Sequence, residues 1–202
     1  NMGSCLISGL IKSGHPANKL WVCDTNDEKR HRMEQTFQIL ATSDAKRAAQ
    51  AADIVIFAVK PQSLAALAKS LATTIHSRKS LVISIVAGIH LESIQYWLDG
   101  KTPIVRAMPN TPALIGCGAT GLYANSIVTS EQHNMAESIL RAVGITVWVE
   151  NEHLLDIVTA LSGSGPAYFF YMMEALQLAA EELGLPKETA RLLTLQTALG
   201  AA

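Results

Sequence analysis

The chain has little of what marks a metal centre, a disulfide scaffold or a polyanion partner. Its 202 residues hold three cysteines, Cys5, Cys23 and Cys117, odd in number, scattered, and without a Cys-x-x-Cys pair. That usage argues against a disulfide framework or a zinc ribbon. It fits a reducing compartment in which buried thiols act as small apolar groups. The six histidines, His15, His31, His76, His90, His133 and His153, show no paired ligand spacing, so no metal is expected. Sixteen basic and 17 acidic side chains leave a net charge of −1, which argues against a nucleic-acid partner. The one basic cluster, Lys29-Arg30-His31-Arg32, is short and follows the acids Asp24, Asp27 and Glu28. No apolar run is long enough to span a bilayer and no signal peptide is visible, so a cytoplasmic protein without a membrane partner is expected. Neither a Gly-x-Ser-x-Gly elbow nor a complete phosphate loop occurs, which makes hydrolase and nucleotidase readings poor.

Small and aliphatic residues are abundant instead. The chain is 49% hydrophobic but only 5% aromatic, so Ala, Leu, Ile and Val must build the core. Strands buried on both faces have this composition. Met2 to Ser13 is expected to be a helix stopped by Gly14, with Gly9 letting it pack closely on a strand. Leu20–Cys23, Asp53–Val59, Leu81–Val86, Ile104–Val105, Ala119–Ala124 and Ile145–Val149 read as strands. Helices are expected between them, including one through Ala51 capped by Ser43, one over Gln62–Thr74, one over Leu91–Leu98, and Ser130–Val143 capped by Ser130. Such alternation predicts an α/β fold with a doubly wound, mostly parallel, Rossmann-like sheet over residues 1–150. From about 151 to 202 no strand follows. Tyr168–Ala180 is apolar on nearly every face and too large for the few remaining residues to surround. A helical domain packed against a partner subunit, or against a further C-terminal segment, is therefore expected.

Three short segments sit where strands end or helices begin: Ala58-Val59-Lys60-Pro61, Arg106 to Pro112, and Ser162 to Tyr168. In an open α/β sheet, ligands bind beyond the carboxyl ends of the strands. Asn1-Met2-Gly3 looks like the tail of a glycine-rich dinucleotide loop whose strand and first glycines lie upstream. Asp24 follows Gly3 by 21 residues, the place for a carboxylate on the adenosine ribose. It reads equally as a loop or capping carboxylate. An acid there favours NAD, whereas Thr25, Asn26, Lys29 and Arg30 can hold the 2′-phosphate of NADP, so the cofactor stays open. Lys60 either borders the nicotinamide or is a solvated lysine at an ordinary strand exit. In Ser162-Gly163-Ser164-Gly165-Pro166, two glycines, two hydroxyls and a proline suited to a first helical turn point to an anion site, beside the plainer reading of a capping turn.

Together, Asn1-Met2-Gly3, Ala58 to Pro61, Ala87-Gly88, Arg106 to Ala113 and Leu161 to Tyr168 resemble pyrroline-5-carboxylate reductases in order and spacing. The resemblance implies reduction of 1-pyrroline-5-carboxylate to L-proline, with NADP(H) or NAD(H), as the last step of proline biosynthesis. It places the cofactor on Asn1, Met2, Gly3, Asp24, Thr25, Ala58, Val59, Lys60, Pro61, Ala87, Gly88 and Asn110. It places the substrate on Ser162, Gly163, Ser164, Gly165 and Pro166. It also implies a homodimer of interlocked helices that assembles further into rings. The group donating to the substrate nitrogen is expected in a C-terminal loop beyond Ala202. Two alternatives are another small-substrate reductase of this architecture and a non-catalytic nucleotide-binding oligomer. The first usually carries a lysine on the helix matching Tyr168–Leu183, and none stands there.

Overall fold

Strand and helix boundaries follow the punctuation of the sequence by Gly, Pro and short polar residues. The computed structural model describes residues 2–202; Asn1, expected in the glycine loop, lies outside them. Helix α1 (Met2–Lys12) turns Cys5, Leu6, Gly9 and Leu10 inward and is followed by Gly14 at φ +89°. A Cβ on Gly9 would lie 2.5 Å from Val143 Cγ1 and 2.6 Å from the Ala142 carbonyl oxygen. The helix therefore needs its glycine to approach the Ala142–Val143 segment, not a strand as expected.

Strand β1 (Trp21–Cys23), helix α2 (Asp27–Phe37), strand β2 (Leu40–Thr42) and helix α3 (Ala45–Ala51) follow. Strand β2, built on the short apolar run Ile39-Leu40-Ala41, is not among the strands read from the sequence. Asp44, not Ser43, caps α3, its carboxylate accepting the Lys46 and Arg47 N–H groups. Next come β3 (Ile54–Phe57), α4 (Pro61–Arg78), β4 (Leu81–Ser84), α5 (Leu91–Trp97) and β5 (Ile104–Met108). A 3₁₀ turn at Thr111–Ile115 leads to β6 (Gly118–Ala124), α6 (Ser130–Arg141) and β7 (Gly144–Trp148). Thr129, not Ser130, caps α6, in a reciprocal capping box with Gln132.

The main sheet has the order β3-β4-β5-β6-β7 and is parallel except between β5 and β6. Successive residues feed opposite cores. Val82 and Ile104 pack with Phe57, Leu64, Leu71 and Ile94 under α4 and α5. Ile83 and Val105 pack with Leu6, Leu122, Ala136 and Leu140 under α1 and α6. Each fully buried aliphatic side chain contributes about 1.5–3 kcal/mol of transfer free energy, so the two layers fix the sheet's register.

β1 and β2 form a separate parallel pair. The open edges of β1 and β3 line one cleft of about 410 Å³, with Leu6, Leu10, Leu67 and Leu71. The rim of the cleft is polar.

Beyond β7 the chain is helical: α7 (Leu154–Val158), a wide π turn at Thr159–Gly163, α8 (Gly165–Glu182) and α9 (Lys187–Ala201). Phe169, Phe170, Tyr171, Met172, Leu176 and Leu178 of α8 are exposed, as are Leu192, Leu193, Leu195 and Leu199 of α9. Among the described residues no helix is long and apolar enough to cross a membrane.

Candidate functional site

Asp24 ends β1, and its carboxylate closes the next turn by accepting the Asn26 N–H at 2.9 Å. Lys29 Nζ stands 3.8 Å from the other carboxylate oxygen. Arg30 donates to the Asp24 carbonyl at 2.7 Å and pairs with Asp27. Asn26, not Asp24, caps α2. Asp24 nonetheless lines the cleft together with Gly3, Lys29, Arg30, Ala58 and Val59. It is at once a loop-closing carboxylate and an acid on the rim. Thr25 is exposed beside it, while Met2 packs its side chain into the core beneath α1.

Because β3, β4 and β5 run parallel, their carboxyl ends share one edge of the sheet. There Ala58 is exposed. Lys60 is extended (φ −66°, ψ 147°) with its side chain exposed, and Pro61 begins α4. Ala87 and Gly88 are exposed after β4. Gly88 has φ +73°, which a β-carbon disfavours. These small residues leave backbone open where a flat ligand can lie against it. An adenine dinucleotide fits the donor set: an acid and two cations at the β1 end, bare backbone at the ends of β3 and β4.

Across from these ends lies the Ser162–Pro166 turn. The Ser162 hydroxyl donates to the Val158 carbonyl at 3.0 Å, and the Ser164 N–H donates to the Thr159 carbonyl at 2.8 Å. Pro166 stands in the first turn of α8, as expected, and the Ser164 side chain makes no cap bond. Gly165 is buried, yet a Cβ there would meet no atom within 4 Å, and its φ is not in the left-handed region. Gly163 is the tight position, with its Cβ site 3.0 Å from Met108 Cε.

Two residues of the Arg106–Pro112 segment have partners of which the sequence carried no sign. Asn110 uses both ends of its amide within the protein: Nδ2 donates to the Ser162 carbonyl at 2.9 Å, and Oδ1 accepts the Ala119 N–H at 2.9 Å. Arg106, 5% exposed, donates from Nη1 to Glu152 Oε1 at 2.7 Å. The same oxygen accepts the Leu91 N–H at 2.6 Å, and His90 Nδ1 lies 3.7 Å from it. Arg106 lies in the Arg106–Pro112 segment, but its partner lies 46 residues further on. Among the described residues no group of His, Cys, Asp and Glu is placed to hold a metal ion.

A family profile for pyrroline-5-carboxylate reductase dimerisation matches residues 152–202, and one for coenzyme F420-dependent NADP oxidoreductases matches residues 1–88. The chain is 46% identical over 202 residues to the pyrroline-5-carboxylate reductase of Pseudomonas aeruginosa, covering 100% of this chain and 74% of that one. The solved pyrroline-5-carboxylate reductase of Coxiella burnetii superposes with a TM-score of 0.95 at 46% identity, over 99% of this chain and 74% of the other. The Plasmodium falciparum pyrroline carboxylate reductase with NADP bound gives 0.87 at 29% identity, over 98% and 72%. With its whole length matched at this identity, the chain belongs to the pyrroline-5-carboxylate reductase family.

Proposed function

We propose that the protein reduces 1-pyrroline-5-carboxylate to L-proline with NADPH, NADH being the second candidate, as the last step of proline biosynthesis. The carrying observation is the 46% identity along the whole chain to an enzyme of that name, together with small-residue segments at one edge of a parallel sheet. In this reading the nucleotide-binding domain spans residues 1–150 and the helical dimerisation domain 151–202. Gly3, Asp24, Thr25 and Ala58 to Pro61 hold the cofactor, with Ala87 and Gly88 beside the nicotinamide. Met2 contributes through the packing of α1, and Asn110 through the loop it holds. Ser162 to Pro166 anchors the substrate carboxylate at the positive end of α8.

A reduced nicotinamide, when bound, supplies the hydride. The imine nitrogen is basic enough to arrive protonated, so the carbon is already electrophilic. The protein's work is then orientation and exclusion of water, and no acid–base pair is needed among these residues. The exposed apolar faces of α8 and α9 fit a homodimer, and further assembly into rings is part of the proposal. So are a cytoplasmic location, binding of proline as product, and the lack of a nucleic-acid partner. Following cofactor oxidation with the imine tests the reading; a folded protein without turnover on either cofactor would end it.

A further inference from the structure

Four hydrogen bonds brace the Arg106–Asn110 segment against its surroundings, and one of them reaches the substrate-side turn directly, from Asn110 Nδ2 to the Ser162 carbonyl. Two belong to Asn110, itself 8% exposed. Its partners are one carbonyl and one N–H, so only a side chain that both donates and accepts in that geometry satisfies them. The other two converge on Glu152 Oε1, from Arg106 and from the Leu91 N–H. Leu91 opens α5 just after the Ala87–Gly88 turn. Met108, between Arg106 and Asn110, is the residue against which Gly163 fits. The Arg106–Asn110 segment is thus tied at both ends to the helical part of the chain, and Glu152 ties in the loop after β4 as well.

We propose that Arg106, Asn110 and Glu152 are positioning residues that set the separation between the nicotinamide edge and the carboxylate-anchoring turn. The assignment of ligands to the two sides rests on the reductase reading above. None of the three is required to touch a ligand. Hydride transfer is sensitive to alignment, and a displacement of about 1 Å costs on the order of 100-fold in rate. Buried partners left unpaired would let the turn relax by such amounts.

The test uses native-length protein carrying Asn110→Ala, Asn110→Asp or Glu152→Gln. Asn110→Ala and Glu152→Gln should lower kcat/KM for the imine by roughly 10–100-fold and raise the proline inhibition constant. For Glu152→Gln the NADPH dissociation constant, read by fluorescence titration, should stay within about twofold, as expected where only alignment is lost. Asn110→Asp keeps an acceptor for Ala119 but sets a carboxylate against the Ser162 carbonyl, so it should not rescue. Rescue by Asn110→Asp would show that only the Ala119 bond matters and would overturn the clamp. It would equally be overturned if Asn110→Ala kept wild-type kcat/KM and proline inhibition. Hydrogen exchange reads the same bond without turnover: residues 162–167 should exchange faster in Asn110→Ala, with β4 unchanged. If the wild type fails to reduce the imine, the reductase reading falls and this exchange result alone decides the clamp, unchanged protection ending it. Should Asn110→Ala not fold, Glu152→Gln carries the kinetic comparison.

Discussion

Asp24 joins a turn-forming bond to a place on the cleft rim, and the two roles respond differently to substitution. Asp24→Ser keeps an oxygen that can accept the Asn26 N–H but removes the charge. It should weaken NADH more than NADPH, because only the 2′-phosphate is repelled by the acid; equal changes in both Michaelis constants would place Asp24 away from the ribose. Gly165→Val meets no protein atom within 4 Å at its Cβ and no left-handed backbone. Its melting temperature should therefore hold, while the imine Michaelis constant and the proline inhibition constant rise together. If cofactor affinity falls instead, the turn belongs to the nucleotide. Asp24 and the glycines were legible because their signals are local: a carboxylate ending a strand, or a run of small residues before a helix. The Arg106–Glu152 pair and the two bonds of Asn110 were not, since each joins positions that only the folded sheet brings together.

The strands and helices that were legible carry long apolar stripes, such as Leu64, Leu71 and Ile75 of α4, whose burial outweighs local ambiguity. Strand β2 has three residues and an exposed first position, so it owes its pairing to β1 and not to its own pattern. The caps were missed by one residue, in opposite directions: Asp44 in place of Ser43, and Thr129 in place of Ser130. Adjacent polar residues offer the same chemistry, and backbone geometry selects between them. Thr129→Ala should cost about 1 kcal/mol by urea unfolding, whereas Ser130→Ala should be near neutral. Helix α6 is also tied to β7 through Glu137, which accepts from Trp148 Nε1 at 2.9 Å and from Arg141 at 2.8 Å. The Trp148 N–H, and then the Arg141 and His133 charges, hold this carboxyl below the usual carboxylate range. A carboxyl lowered in the folded state stabilises above its unfolded pKa, and that stabilisation is lost as pH falls through the folded value. Glu137→Gln should therefore flatten the stability–pH curve at the acid end; an unchanged slope there would show that the pair contributes nothing.

The α/β part of the chain and the helical part after β7 meet different demands. The sheet buries its central strands β4 and β5 on both faces, whereas α8 leaves Phe170 63% exposed among a row of similarly open aromatic and aliphatic neighbours. The apolar face was legible as a surface that needs a partner subunit or a further C-terminal segment, because it is too large for its few neighbours to cover. Phe170→Glu should give monomers or insoluble protein, since burying an unpaired charge costs several kcal/mol; an active monomer by light scattering would refute the interface. The central claim is most directly tested by adding 1-pyrroline-5-carboxylate to the purified native-length protein with NADPH, then with NADH, and following cofactor absorbance and proline formation together. The expected result is one proline formed per cofactor oxidised, inhibited by added proline. A folded dimer that oxidises neither cofactor with this imine would contradict it.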